Sequence, residues 1–323
     1  MKKDTKRSFR EMQDTICQEV TDRIIEQLQH GVIPWRKPWR GILGGDASDL
    51  AVSYESGRPY SLLNQLVLGI PGEWLTFNAI QRHGGKIRKG ERSRMVVFSD
   101  RFLKEDPDDL DQDGKPKVKA IPYLKYFRVW HLSQVEGVES RLPKDEADKP
   151  GAKVNPDEAA EAIVAAYLAQ PSHPTVVVRH SDKACYCPAT DTVTVPAMDQ
   201  YDDPAEYYST LFHELGHSTG HKDRLARKGI MEWDGFGSHE YSREELVAEM
   251  CAAILVTHAG LETVTALRNS AAYIQAWLQR LSGDNRLVVW AAGAAEKAAR
   301  LIAGLAKAKE SAKETQQPAA EAA

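Results

Sequence analysis

Residues 203–220 read DPAEYYSTLFHELGHSTG, a stretch that specifies both a helix and a chemistry. Asp203 is a capping residue type, Pro204 suits the first helical position, and Glu206 stands where a capping box puts its acidic partner. Tyr208, Leu211, Phe212 and Leu215 recur at i, i+3, i+4 and i+7, giving one apolar face, and Gly220 is placed to end the helix in a left-handed turn. The predicted helix spans Asp203 to Thr219.

On such a helix His213 and His217 lie one above the other, so both imidazoles can reach one metal ion. Glu214 stands beside them, placed to take a proton from a metal-polarised water, the division of labour of an HExxH hydrolase. Two solvated histidines on a surface helix would have the same spacing. The capped, amphipathic context favours the metal site, as does Thr192–Val195 just upstream, read as an edge strand able to hold an extended peptide. Zinc is the preferred ion for two histidines and a carboxylate, with manganese the alternative.

Spacing leaves the third ligand open. Asp223 fits an HExxHxxGxxD pattern, whereas Glu245 or Glu244 could come from the later helix YSREELVAEMCAAIL. Glu245 and Glu249 share a face there, and Ala248 and Ala252 would let that helix approach the metal helix closely. Glu249 suits the role of a carboxylate that orients a ligand histidine. Ser242 to Glu245 could equally be a capping box, with Glu245 turned to its own backbone. Tyr241 is a candidate to stabilise an oxyanion, beside His221 and His239.

Outward from this helix, the chain of 323 residues exceeds one ordinary core and implies two domains. A hydrophobic content of 42% with 27% charged residues fits a soluble globular protein. No apolar run is long enough to span a membrane, and the charged amino terminus lacks the apolar core of a secretory signal. The four cysteines imply a reducing compartment, so a cytoplasmic location is expected. Cys185 and Cys187 alternate on a strand without a second pair to complete a zinc site, and burial is the expected account of them. Asp109, Asp111, Asp113 and Gly114 begin like a calcium loop, but Ala120 stands where the closing Glu is required, which leaves a flexible acidic loop.

Charge is unevenly distributed: residues 1–145 hold 25 Lys and Arg against 21 Asp and Glu, whereas 146–323 hold 17 against 25. A local basic patch is therefore expected in the first half. Trp35, Arg36, Lys37, Trp39 and Arg40 interleave indoles with cations, as stacked bases and neutralised phosphates require. Arg82, Lys86, Arg88, Lys89, Arg92 and Arg94 form a second cationic stretch around a turn, and the two could make one groove for single-stranded nucleic acid. Solvated turns and core tryptophans are the ordinary alternative.

Met12, Ile16, Val20, Ile24 and Leu28 recur every fourth residue, predicting an opening helix before His30-Gly31. Leu75 to Phe98 and Ile121 to Leu132 read as strand-rich. The prolines and charges near 141–156 read as a linker, dividing 1–140 from 157–306, with 307–323 as a disordered tail. Beyond the linker, 157–169 reads as helix, 175–179 and 191–195 as strands, and the rest as mostly helix.

The segments QEVTDRIIEQL, PWRKPW, GRPYSLLNQ, WLTFNAIQRHGGKIRKGERSRMVVF and YLKYFRVWHLSQVEG, followed by YYSTLFHELGHSTGHKDRL, YSREELVAEM and AAYIQAWLQRL, resemble ArdC-type antirestriction proteins. The resemblance covers most of residues 11–306. It implies an α+β fold: an N-terminal α+β domain binding single-stranded DNA, then a mainly helical zincin-like metallopeptidase domain of gluzincin type with a small sheet. It favours Glu245 over Asp223 as third ligand. The sequence departs from commoner members at Gly216-His217-Ser218, where an aromatic often follows the second histidine. The implied function is that of a mobile-DNA protein protecting incoming single strands, with a peptide or protein substrate for the second domain. The alternatives are a DNA-binding scaffold with a structural zinc, or a DNA-tethered peptidase acting on a host factor.

Overall fold

The structure is a computed structural model that describes residues 8–37, 41–44, 48–110, 116–142, 155–231, 239–261 and 271–305; the side chains of 105–108, 110, 239–241 and 271 are not described. The predicted linker and tail lie largely or wholly outside these residues.

The first described element is α1 (Phe9–Gln29), opened by a capping box in which Ser8 and Glu11 exchange bonds. Ile16, Val20, Ile24 and Leu28 are buried as the four-residue period requires, while Met12 is exposed. After α1 come β1 (Ala51–Ser53), α2 (Leu62–Leu68), β2 (Gly72–Thr76), α3 (Phe77–Arg82), β3 (Lys86–Ile87), β4 (Arg94–Leu110), β5 (Pro116–His131) and β6 (Val135–Glu136). One sheet has the order β1-β2-β5-β4, with β1 parallel to β2 and the rest antiparallel; β3 pairs β6 separately. Strands β4 and β5 continue as a long two-stranded ribbon from Arg94↔Val129 to Asp106↔Lys117. Asp109, expected in a flexible acidic loop, is placed on β4 and pairs with Lys117 at 2.7 Å. The ribbon was unreadable as such because its outer half is exposed on both faces and lacks the alternation that marks a half-buried strand.

The second half begins with α4 (Pro156–Leu168), then β7 (Thr175–Arg179), β8 (Cys185–Cys187) and β9 (Thr192–Pro196) in the order β7-β9-β8. Val193 and Val195 are fully buried, since β9 is central and not the expected edge; the edge beside the next helix is β8. Helices α5 (Pro204–Ser218), α6 (Lys228–Met231), α7 (His239–His258), α8 (Ala271–Gly283) and α9 (Leu287–Ile302) follow among the described residues. Helix α7 is buried on most sides, with Val247, Ala248, Met250, Cys251, Ile254 and Leu255 at 1% exposure or less, because α5 packs on one flank and α9 on another.

One apolar cluster runs through both halves, joining Ile16, Val20 and Leu66 to Leu215, Leu255 and Ala295. Polar bonds cross the same seam: Thr21 donates to the Asn285 carbonyl at 2.8 Å, and the Leu62 amide donates to Glu296 at 3.0 Å. No helix among the described residues is long and apolar enough to cross a membrane.

Candidate metal centre

Asp203 caps α5 by accepting from the Ala205 amide at 2.8 Å, and Pro204 occupies the first turn, as the sequence indicates. Gly220 does not end the helix in a left-handed conformation. It is needed for space instead: a Cβ there would lie 2.5 Å from Ile230 Cγ1. Gly216 has a similar role toward α7, where an added Cβ would meet Ala248 Cα at 3.2 Å. The small residues of HELGH and VAEMCA therefore bring the two helices into backbone contact.

That contact brings the carboxylates of α7 to the histidines of α5. His213 Nε2 and His217 Nε2 are 3.1 Å apart, and Glu245 lies 3.7 Å from the first and 3.5 Å from the second. Among the described residues, these three are the group whose ligating atoms all fall within 4.8 Å of one another. Ligand atoms on a tetrahedron with bonds of about 2.0–2.1 Å sit roughly 3.3–3.4 Å apart, so the donor set fits a zinc-sized ion. Burial, with His217 beside it, lowers His213 to about 3, leaving its nitrogen free to coordinate. Asp223 is elsewhere, exposed and paired with His221 at 3.6 Å. Ser242 lies inside α7, which starts at His239, so Glu245 is not held in a capping box.

The carboxylate facing the Nδ1 side of His217 is Glu244, not the expected Glu249. Glu244 lies 3.6 Å from His217 Nδ1 and is clasped by Arg227, whose Nε donates at 2.9 Å and whose other nitrogens reach Thr219 Oγ1 and the Gly216 carbonyl. Burial opposes its charge, but the bonds from Arg227 and His217 hold the Glu244 carboxyl below its ordinary value. Burial likewise opposes the charge on His217, yet Glu244, Glu245 and Glu214 raise it. Glu249 belongs to a different network: Tyr273 donates to it, and Trp35 adds a bond.

Glu214 is buried beside His213, His217 and Glu245 and accepts from the Tyr186 backbone of β8; burial pushes its proton affinity up. Tyr186 is in turn fixed by Asp191 and Arg224, and Arg224 Nε also donates to the Ser218 carbonyl at the end of α5. The free edge of β8 thus borders the site. Its Cys185 and Cys187 are exposed, contrary to the expected burial, because Tyr186 between them takes the inward position. Glu244, weighed from the sequence only as a third ligand, faces His217 Nδ1 instead; Arg227, Arg224 and Tyr186 were not singled out from the sequence, which carries no local pattern for them.

The expected DNA contacts separate into groups. Trp35 is 1% exposed and packs edge-on against Trp277 with centroids 5.6 Å apart, so it presents no face for a base. Arg36 covers the ring of Tyr273 at 4.2 Å. Lys37 donates to the Gly69 carbonyl at 2.9 Å, next to Arg94, which reaches Leu68. Lys86, Arg88, Lys89 and Arg92 are exposed on and after β3, with Arg88 3.7 Å from Glu136. Trp39 and Arg40, and the side chain of Tyr241, lie outside the described residues.

A profile of the zincin-like metallopeptidase family matches residues 158–294, and one of the N-terminal domain of the anti-restriction factor ArdC matches 14–130. A DNA primase TraC of Escherichia coli is 32% identical over 294 residues, 86% of this chain, but the chain spans only 19% of that primase's length. The protein y4eC of Sinorhizobium fredii, itself uncharacterised, is 31% identical over 297 residues, covering 88% of this chain and 90% of that one. The crystal structure of the antirestriction ArdC protein from the R388 plasmid aligns in its metal-free form with a TM-score of 0.61 at 31% identity, over 90% of this chain and 97% of the other. Its Mn(II)-bound form aligns with 0.62 at 30% identity, over 91% and 99%.

Proposed function

The chain belongs to the ArdC antirestriction family, and from that premise we propose that it protects incoming single-stranded DNA and carries a metal-dependent peptidase centre. The observation that carries the proposal is the meeting of His213, His217 and Glu245 beside the buried Glu214. His213, His217 and Glu245 would hold the ion, zinc or the manganese seen in the R388 protein. A divalent cation there supplies Lewis acidity toward a water and a carbonyl oxygen. Glu214, with its proton affinity raised, takes a proton from the water and gives it to the departing amine. Glu244 holds the His217 ring through Nδ1, and Arg227 holds Glu244. The β8 edge offers backbone groups to an extended peptide.

In the first half, the exposed cations Lys86, Arg88, Lys89 and Arg92, with Lys37 and Arg40, contact DNA phosphates. Replacement of Glu214 with Ala tests the peptidase role. Metal retained with protection of incoming DNA lost would support a catalytic contribution. Metal retained with full protection would assign protection to DNA binding alone. Single-strand binding that is absent or indifferent to salt would refute the DNA half of the proposal.

A further inference from the structure

A cavity of about 260 Å³ lies between α1, the start of β4 and the loop after α2. Arg23 and His30 of α1 line it together with Lys37, Gly69 and Arg94, and Glu26 is its one carboxylate among the lining residues. The cations converge closely: a Cβ on Gly69 would sit 4.0 Å from both Lys37 Nζ and Arg94 Nη1. The backbone at Gly69 has φ +70°, the left-handed conformation in which glycine ends α2, and its carbonyl and that of Leu68 face these cations.

Part of this charge has a structural use. Lys37 and Arg94 close the carbonyls of Gly69 and Leu68 at the carboxyl end of α2, where cations are favoured. That use consumes one donor of the three on Lys37 and one of the five on Arg94. Arg23 pairs with Glu26, but its Nε is buried without a hydrogen-bond partner among the described residues. A buried unpaired N–H is costly and calls for an acceptor. Burial and the charges of Arg23 and Arg94 push the Lys37 ammonium down, the mark of like charges crowded without enough opposing charge. Val32 and Ile70 at the rim are exposed apolar side chains. A cationic floor beside an apolar rim matches a phosphate joined to a base and sugar better than it matches a free anion.

We propose that this cavity binds a backbone phosphate of single-stranded DNA, through Arg23, Lys37 and Arg94. The proposal rests on the DNA-binding reading above and adds a site to it, with Arg23 of α1 as a contact.

Fluorescence anisotropy with a short labelled oligothymidylate and the full chain tests it. Arg23→Gln should weaken binding by about tenfold and lower the slope of log K against log salt by about 0.7. Glu26→Gln should tighten binding, by about threefold, because it removes the opposing carboxylate. Opposite effects of two neighbouring substitutions cannot come from unfolding. Wild-type affinity and salt slope in both variants would overturn the proposal while leaving DNA binding intact. No binding by the wild type would overturn the DNA reading itself. Inorganic phosphate forms the second arm: if it raises the melting temperature of the wild type but not of Arg23→Gln, and the oligonucleotide does not bind, the occupant is a free anion and the DNA assignment fails.

Discussion

Gly216→Ala puts the close packing of α5 and α7 to a quantitative test. Replacing a glycine within a helix by alanine ordinarily stabilises by about 1 kcal/mol. Here the added Cβ would lie 3.2 Å from Ala248 Cα, 3.4 Å from Cys251 Cβ and 3.6 Å from Ala248 Cβ. Carbon atoms at rest stand about 3.5–4.0 Å apart, so α7 has to retreat by roughly 0.3 Å or more. Its retreat is opposed because α9 packs behind it, and overpacking of this kind costs about 1–3 kcal/mol. The propensity gain is thus offset, and the net effect on stability lies between nothing and a loss of about 2 kcal/mol. Metal binding should suffer more, because Glu245 sits one turn from Ala248 and ligand distances tolerate only about 0.2 Å. A fall in affinity of about 10- to 100-fold is expected, the range for loss of a ligand's support. Urea unfolding of the metal-free protein, beside chelator competition for zinc and manganese, measures both. A variant stabilised by about 1 kcal/mol with unchanged metal affinity would refute the close-contact argument.

Glu244→Ala leaves the Arg227 guanidinium buried without its partner and should lower unfolding free energy by about 3–5 kcal/mol in urea titration. Because Arg227 holds the Glu244 carboxyl below its ordinary 4.5, its contribution is complete above that pH and is lost as pH falls below it; acid unfolding of the variant should lack this component. Trp35→Ala should cost about 3–5 kcal/mol, since the side chain is fully buried, and a variant as stable as wild type would contradict that placement. Metal analysis should find Asp223→Ala loaded like the wild type and Glu245→Ala depleted; the reverse would overturn the proposed ligand set.

The helix carrying His213 and His217 was legible because helix geometry alone puts residues four apart on one face, and its cap and apolar stripe are local signals. The choice between carboxylates was not. A shared face makes Glu245 and Glu249 look like partners, but an imidazole has two nitrogens pointing apart, and consecutive residues Glu244 and Glu245 meet opposite sides of His217. Trp35 and Trp39 look alike in sequence, since an indole among cations serves equally a nucleic acid or a core. What decides for Trp35 is Tyr273, Trp277 and Glu249, more than 200 residues away, which no local pattern can supply. Cys185 and Cys187 illustrate the same limit, because alternation on β8 fixes that they share a face but not which face is covered.

The Trp35 contacts also bear on how the two halves can be separated. The sequence suggests cutting near residues 141–156, yet α1 buries Ile16, Val20 and Ile24 in a cluster shared with Leu281, Leu287 and Ala291 of the second half. Severing that seam would expose these side chains, strand Trp35, and remove the acceptor for the Leu62 amide. Each fully buried aliphatic side chain is worth about 1.5–3 kcal/mol, so three on α1 alone approach the whole stability of an ordinary domain. A fragment ending at residue 140 would therefore fail to bind DNA by failing to fold. The proposed DNA surface has to be dissected by point substitutions such as Arg23→Gln in the complete chain, and the same seam makes α7 a common support for Glu249 beneath Trp35 and for Glu245 at the candidate metal centre.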